Sequence, residues 1–279
     1  MTDDRLGPAL ANNVDIEAVF DSLDQGMSVA LIATGADQLQ TVESHQAQGA
    51  IRDARELAEF DVLPVTRNGR ICGLLDQTRL DPASSEDTVG RAMSPLGEHN
   101  LISAASGILT YMRLARENPY RLIIADNRIT GIITQADLHK LPVRVSLFSL
   151  ITHVELLMAQ VIEQHFPDAD HLFAQLNSNR ASNAQKQWAS LRRNNLHSRP
   201  VLALQFCDKA EILARHLETA LSRRQTKDQF ARIETLRNHV AHANDYAATG
   251  EMTQKTIDAV GHAEAWIKRL RQEIDKTED

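Results

Sequence analysis

The stretch from Tyr120 to His139 reads YRLIIADNRITGIITQADLH. Two β-rich runs, Tyr120 to Ala125 and Ile129 to Thr134, flank the turn residues Asp126 and Asn127, which predicts an antiparallel hairpin. Upstream, Ala104 to Arg116 (AASGILTYMRLAR) has helical spacing of its apolar residues. The same order of elements occurs earlier. Ile51 to Phe60 reads as a helix, Val62 to Val65 and Arg70 to Leu75 as strands, and Asn68-Gly69 as the turn between them. The two turns, Asn68-Gly69 and Asn127-Arg128, are about 59 residues apart, so a helix-strand-strand unit is expected twice. Ser28 to Ile32 (SVALI) is a further predicted strand. Asp81 to Ser85 and Met93-Ser-Pro95 read as linkers.

After Pro142 the strand signals stop. Leu147, Leu150, Ile151, Val154, Leu157, Met158, Val161 and Ile162 recur at spacings of three and four, predicting a helix from Ser146 to Phe166 that Pro167 ends. Helices are also expected over Asn183–Asn195, Leu202–Arg224, Lys227 to about Ala243, and Thr253–Ile274, with Gly250 breaking the chain. Short connections between them suggest an antiparallel bundle. The chain therefore reads as α+β and multidomain: an N-terminal segment over 1–24, a repeat module over 25–142 and an all-α bundle over 143–279.

Composition narrows the function. The 279 residues carry a net charge of -7, and 4% of them are aromatic, which argues against a stacking surface for single-stranded nucleic acid. The acidity is unevenly placed: residues 1–143 hold 12 Lys+Arg against 20 Asp+Glu, and residues 144–279 hold 18 against 17. The net charge thus does not exclude RNA, though it argues against tight, non-specific binding. Cys72 and Cys207 form no CxxC, which argues against a cysteine zinc site or a disulfide framework and fits a reducing compartment. The polar start Met-Thr-Asp-Asp does not read as a signal peptide, and no apolar run of ~18 residues is expected to span a membrane. A cytoplasmic protein is the expectation.

The repeat, and above all Gly131-Ile-Ile-Thr134-Gln-Ala-Asp137, resembles the cystathionine-β-synthase (CBS) domain, whose tandem pairs form a Bateman module. The resemblance implies that the Thr134 hydroxyl and the Asp137 carboxylate, beside Gly131, contact the ribose of an adenine nucleotide or adenosyl ligand. Chemistry allows this, since a carboxylate accepts two hydrogen bonds from vicinal hydroxyls. The same residues also read as an N-cap and a first-turn acid. In the first repeat Asp76 and Arg79 stand where Thr134 and Asp137 stand in the second, so a ribose is not expected to be held there in the same way.

The run Leu236-Arg-Asn-His-Val-Ala-His242 resembles the Arg-x4-His motif of HEPN domains, helical bundles of which many are metal-independent endoribonucleases acting as homodimers in toxin-antitoxin, defence and RNA-processing systems. That resemblance implies RNA as substrate, with an antitoxin or another protein as a further partner. His242 would act as base or acid in attack of a 2′-OH on the adjacent phosphate. Arg237 would stabilise the developing charge, and Asn238 would orient the histidine or the phosphate. On a continuous helix Arg237 and His242 stand ~140° apart, so the pair needs either a loosened helix end near Ala241 or a cleft shared between subunits. Glu155, on the apolar stripe of the first bundle helix, is a second candidate to pair with Arg237 or face the cleft. Arg192 and Arg193 are candidate contacts for an RNA backbone. No metal is expected: His239 and His242 are three apart and have no evident third ligand.

Overall fold

A computed structural model describes residues 16–194, 199–242 and 245–278. The chain opens with helix α1 (Ile16–Gly26), which lies within and beyond the expected N-terminal segment. Among the described residues eight short strands follow: β1 (Thr34–Gly35), β2 (Val42–Glu43), β3 (Val62–Arg67), β4 (Arg70–Asp76), β5 (Ser94–Pro95), β6 (Leu101–Ser103), β7 (Arg121–Ala125) and β8 (Arg128–Ile133). They form two four-stranded sheets, ordered β2-β3-β4-β5 and β1-β8-β7-β6. Helices α2 (Gln48–Asp53), α3 (Val89–Ala92) and α4 (Ile108–Leu114) connect them.

The two hairpins match residue for residue. Val65 faces Gly73 in one and Ile123 faces Gly131 in the other, and a bulge follows both Val65 and Ile123. The repeat is therefore 58 residues, one shorter than the turns suggested. The second turn is centred on Asp126 and Asn127, both at positive φ, as Asn68 and Gly69 are in the first. Paired positive φ values are what a two-residue hairpin of the right twist demands. Each sheet takes its outer antiparallel strand from the segment preceding the other repeat: β1 pairs with β8, and β5 with β4. A glycine permits each exchange. A Cβ on Gly131 would sit 2.4 Å from the Thr34 carbonyl oxygen, and one on Gly73 would sit 2.5 Å from that of Ser94.

Several elements differ from expectation. Ser28 makes only a single bridge to Gly107, and Val29–Leu31 is a 3₁₀ turn, because the Val29 N–H bonds out to the Ser106 carbonyl. The helix expected over 51–60 shrinks to α2 and a 3₁₀ turn at Arg55–Leu57. The bundle consists of α5 (Leu141–His165), α6 (Ala169–Phe173), α7 (Ser178–Asn194), α8 (Phe206–His216), α9 (Arg223–Ala241) and α10 (Gly250–Glu278). Helix α5 starts ahead of Ser146, since Pro142 is accommodated in its first turn. The single helix expected over Leu202–Arg224 is instead a 3₁₀ turn at Pro200–Ala203, then α8, then a break. After the break Ser222 and Gln225 form a capping box that starts α9. Gly250 opens α10 rather than ending anything. Asn195 and Ala243, the expected ends of two helices, lie outside the described residues.

The absence of a long apolar run is also corrected. Helix α5 is apolar enough over 18 residues to cross a membrane, with a mean hydropathy of 1.7, but 61% of that window is buried. It is the central helix of the bundle and packs against α1, α8, α9 and α10.

Burial divides the molecule unevenly. Val42, Ile51, Leu63, Val65, Leu75 and Val89 form a small core of the first repeat. Val62, Leu74, Leu122 and Ile132 join the two sheets. The second repeat has no separate core: Ile108, Met112, Ile123, Ile133 and Leu138 belong to one cluster with Leu147, Val154, Phe230 and Trp266 of the bundle. Ion pairs Arg113–Glu264 and Arg116–Asp258, both at 3.1 Å, fasten the α4 side of the second repeat to α10.

Candidate functional site

Three groups of side chains have the composition of a site. The first lies where β8 ends. Thr134 caps the 3₁₀ turn Gln135–His139 in a capping box with Asp137. Asp137 Oδ2 accepts from the Thr134 backbone N–H at 2.7 Å and the Thr134 hydroxyl at 3.4 Å. Its Oδ1 pairs with Lys140 Nζ at 2.7 Å, and Lys140 also donates to the Ile32 carbonyl. Asp137 is thus a buried cap and ion-pair partner, which was one of its two sequence readings, and a fourth lone-pair site remains on the carboxylate. Thr134 and Asp137 line a cavity of about 580 Å³ closed by Thr34, Val62, Pro64, Tyr120 and Ile132. Gly131 lies in β8 under the Thr34 carbonyl, so its part is to let β1 approach.

The equivalent corner of the first repeat is built of other groups. Asp76 accepts from Tyr120 Oη at 2.9 Å, from Thr78 Oγ1 at 2.5 Å and from the Thr78 N–H at 3.0 Å, and it pairs with Arg79 at 3.0 Å. Burial works to raise the Asp76 pKa, but these donors together outweigh it and leave the carboxyl below its usual range. Burial, and then Asp76 itself, push the Tyr120 phenol up to about 12. Asp76 and Tyr120 line both the 580 Å³ cavity and a second one of about 950 Å³ that holds Arg79, His99 and Arg121.

The third group surrounds α9. Glu155 on α5 pairs through Oε1 with Lys209 Nζ at 2.7 Å and through Oε2 with Arg237 Nε at 3.4 Å, so Arg237 and Glu155 are brought together. Lys209 is buried at 5% exposure, and this fixes the carboxylate. His242 and Asn238 are exposed on other faces of α9. The helix does not loosen before its end, since the His242 N–H still bonds the Asn238 carbonyl at 3.1 Å. Within one chain Arg237 and His242 therefore point ~140° apart. Arg192 stacks over Trp188 at 5.0 Å and Arg193 donates to the Ala189 carbonyl, so both stay on α7. Among the described residues no three His, Cys, Asp or Glu side chains gather as a metal site.

The first and third groups are physically joined. Arg144, near the start of α5, donates to the His239 and Val240 carbonyls at 3.2 and 2.8 Å, capping the C-terminal end of α9. It also lies over the Tyr246 ring at 5.0 Å. His139, in the turn that holds Asp137, meets Asp245 at 3.3 Å. Lys140, Arg144, Asp245 and Tyr246 escaped the sequence reading. Lys140 alone carried a signal, as a cation three after Asp137.

No family model matches the chain, and no curated protein matches it in sequence. Solved structures are similar to part of it. The CBS domain of a bacterial CNNM/CorC-family Mg2+ transporter in complex with ATP is 13% identical, covering 44% of this chain and 91% of that one, with a TM-score of 0.37. A hemolysin-like CBS-domain protein of Oenococcus oeni is 14% identical over 44% of this chain and 94% of its own, also at 0.37. CBSX2 in complex with AMP is 18% identical over 44% and 97%, at 0.35.

Proposed function

We propose that this chain is an adenine-nucleotide sensor, a tandem CBS-type module over 25–142 whose output is a HEPN-like helical bundle over 143–279. The ligand occupies the cavity beside Thr134 and Asp137. Its ribose hydroxyls donate to the Asp137 carboxylate and the Thr134 hydroxyl oxygen, and its ring lies against Val62, Pro64 and Ile132. The observation that carries this reading is the continuous link from that cavity to the end of α9: Asp137, Lys140 and His139 on one side, Arg144 and Asp245 on the other. A ligand that binds one arrangement of this link better than another shifts the position of α9, and the coupling is reciprocal.

The output we propose is metal-independent RNA cleavage in a homodimer, with Arg237 of one subunit and His242 of the other completing a cleft. The ~140° separation along a straight α9 supports a shared site over a site in one chain. His242 takes the 2′-OH proton, Arg237 stabilises the phosphoryl oxygens, and Glu155 with Lys209 holds Arg237 in place. The test is RNA decay in chelator for the natural chain, Arg237→Ala and His242→Ala, each with and without AMP or ATP.

A second reading has its own observation. Glu155 already neutralises Arg237, which favours a bundle that serves only to dimerise or to bind a protein such as an antitoxin. Equal RNA decay in all three proteins selects it.

A further inference from the structure

Helix α5 carries two apolar faces, and the bundle covers one of them. The covered face includes Leu147, Leu150, Val154 and Leu157. The other runs Leu141, Val145, Phe148, Thr152 and Leu156, at spacings of 4, 3, 4 and 4 residues, and all five are exposed. They stand within ~80° of one another around the helix, so they form one stripe. Leu141 is 72% exposed and Phe148 58%, high values for side chains of that size. Two α1 residues widen the stripe. Val19 and Leu23, one turn apart, are both exposed, and Leu23 and Val145 line one small depression. No charged side chain interrupts the five positions. An uninterrupted apolar patch of several hundred Å² marks an interaction surface.

We propose that this face seats a second copy of the chain through a two-fold contact centred on Phe148. Three features choose that occupant. The stripe has nearly the same spacing in either direction, with Phe148 at its middle. A two-fold interface asks for this, because residue i then meets j while j meets i. Its area suits the apolar core of a standard interface, which takes about 800 Å² per partner and leaves polar groups to the rim. Its edge is also where a second copy is needed. Glu155 and Arg144 stand ~20° and ~40° beyond Phe148 around α5. Glu155 holds Arg237, and Arg144 caps the end of α9 that leads into His242. A copy on the stripe therefore arrives beside the Arg237 group. The inference rests on the shared-cleft reading and deepens it by naming the surface that assembles the cleft. The association itself does not depend on cleavage.

The experiment is sedimentation of the full-length natural chain at micromolar concentration, beside Phe148→Leu, Phe148→Asp and Phe148→Cys. The natural chain and Phe148→Leu should run as dimers. Phe148→Asp places a charge in a two-fold interface twice, so it should raise the dimer dissociation constant at least about a hundredfold. Where Phe148→Asp fails to fold, Phe148→Cys decides. Mild oxidation should link position 148 to position 148 of the second copy, and the natural chain with Cys72 and Cys207 gives the background. A monomeric natural chain overturns the proposal, and so does a dimer that Phe148→Asp leaves intact and Phe148→Cys does not link. Binding of a monomeric natural chain to phosphatidylcholine vesicles, lost in Phe148→Asp, also overturns it, because the face then serves a membrane. Dissociation by Phe148→Asp with RNA decay unchanged keeps the dimer face and removes the shared cleft. Cleavage by a monomeric natural chain removes the face and leaves the cleavage reading standing.

Discussion

The two repeats share a register down to the bulge and the edge-strand glycine, yet their corners hold opposite chemistry. In the second, Thr134 and Asp137 end a strand whose core runs on into the bundle, and the turn that follows touches Asp245. In the first, Asp76 and Arg79 occupy the same positions above a small separate core, and Tyr120 and Thr78 tie up Asp76. The difference teaches that duplication supplies one frame twice, while side chains and connections decide which corner can report to another part of the molecule. A ligand at the second corner meets residues on the path to α9. A ligand at the first meets the Asp76–Thr78–Arg79 network, which Tyr120 ties to the second repeat.

The largest expected effect breaks the frame itself. Gly131→Val drives a side chain into the Thr34 carbonyl and Gly73→Val drives one into that of Ser94, and each should cost about 3 kcal/mol or more. The two losses should differ in how they appear. Gly131→Val should lower the main unfolding transition of the whole chain, because its sheet shares the bundle's core. Gly73→Val should loosen the first repeat ahead of the rest, visible as amide exchange confined to β3 and β4. Identical global melting of both variants would contradict the division of cores.

Next is acid sensitivity, expected in the part that contains α5. His153 is 2% exposed with both ring nitrogens unpartnered among the described residues and a Phe20 ring 4.5 Å away. Burial, with Arg271 adding to it, pushes its pKa down to about 4. A base whose pKa is depressed by folding contributes stability above its unfolded value of about 6.5, and that contribution is lost as pH falls from there towards 4. The loss is about 3 kcal/mol. Melting curves between pH 7 and 4 should show it, and His153→Leu should flatten the slope. A slope unchanged in His153→Leu would remove His153 as its source.

A smaller pair of substitutions compares the corners directly. Asp76→Ala and Asp137→Ala each remove a hydrogen-bonded carboxylate and should destabilise by about 1–2 kcal/mol. Only Asp137→Ala should abolish binding of AMP or ATP in calorimetry. Loss of binding in Asp76→Ala with retention in Asp137→Ala would exchange the roles assigned to the two corners.

Much of the frame was legible because local chemistry specifies it. Asn68-Gly69 and Asp126-Asn127 between alternating apolar runs can hardly be anything but hairpins, and Gly-x-x-Thr/Asp fixed the corners. The exchanged edges were not legible: β1 and β5 are two residues long, and what places them is a glycine in the partner strand about 97 and 22 positions away. The break between α8 and α9 was visible in Ser222-x-x-Gln225 but was masked by the helical run of Leu202 to Arg224. Of the candidate residues, Thr134 and Asp137 came from the resemblance to CBS domains, Arg237 from the resemblance to the HEPN motif, and Glu155 from its helical face. Arg144 and Tyr246 were not found, because an arginine reaching carbonyls 95 and 96 residues on has no local sequence signal.

We propose that a nucleotide at Asp137 governs chemistry at the end of α9. The most direct measurement is the rate of RNA cleavage in chelator with and without AMP or ATP, for the natural chain, Asp137→Ala, Arg237→Ala and His242→Ala. The account predicts that cleavage falls at least about a hundredfold in the last two variants. It also predicts that a nucleotide changes the natural rate severalfold and leaves Asp137→Ala unaffected. Equal decay in all four proteins, indifferent to nucleotide, would contradict it.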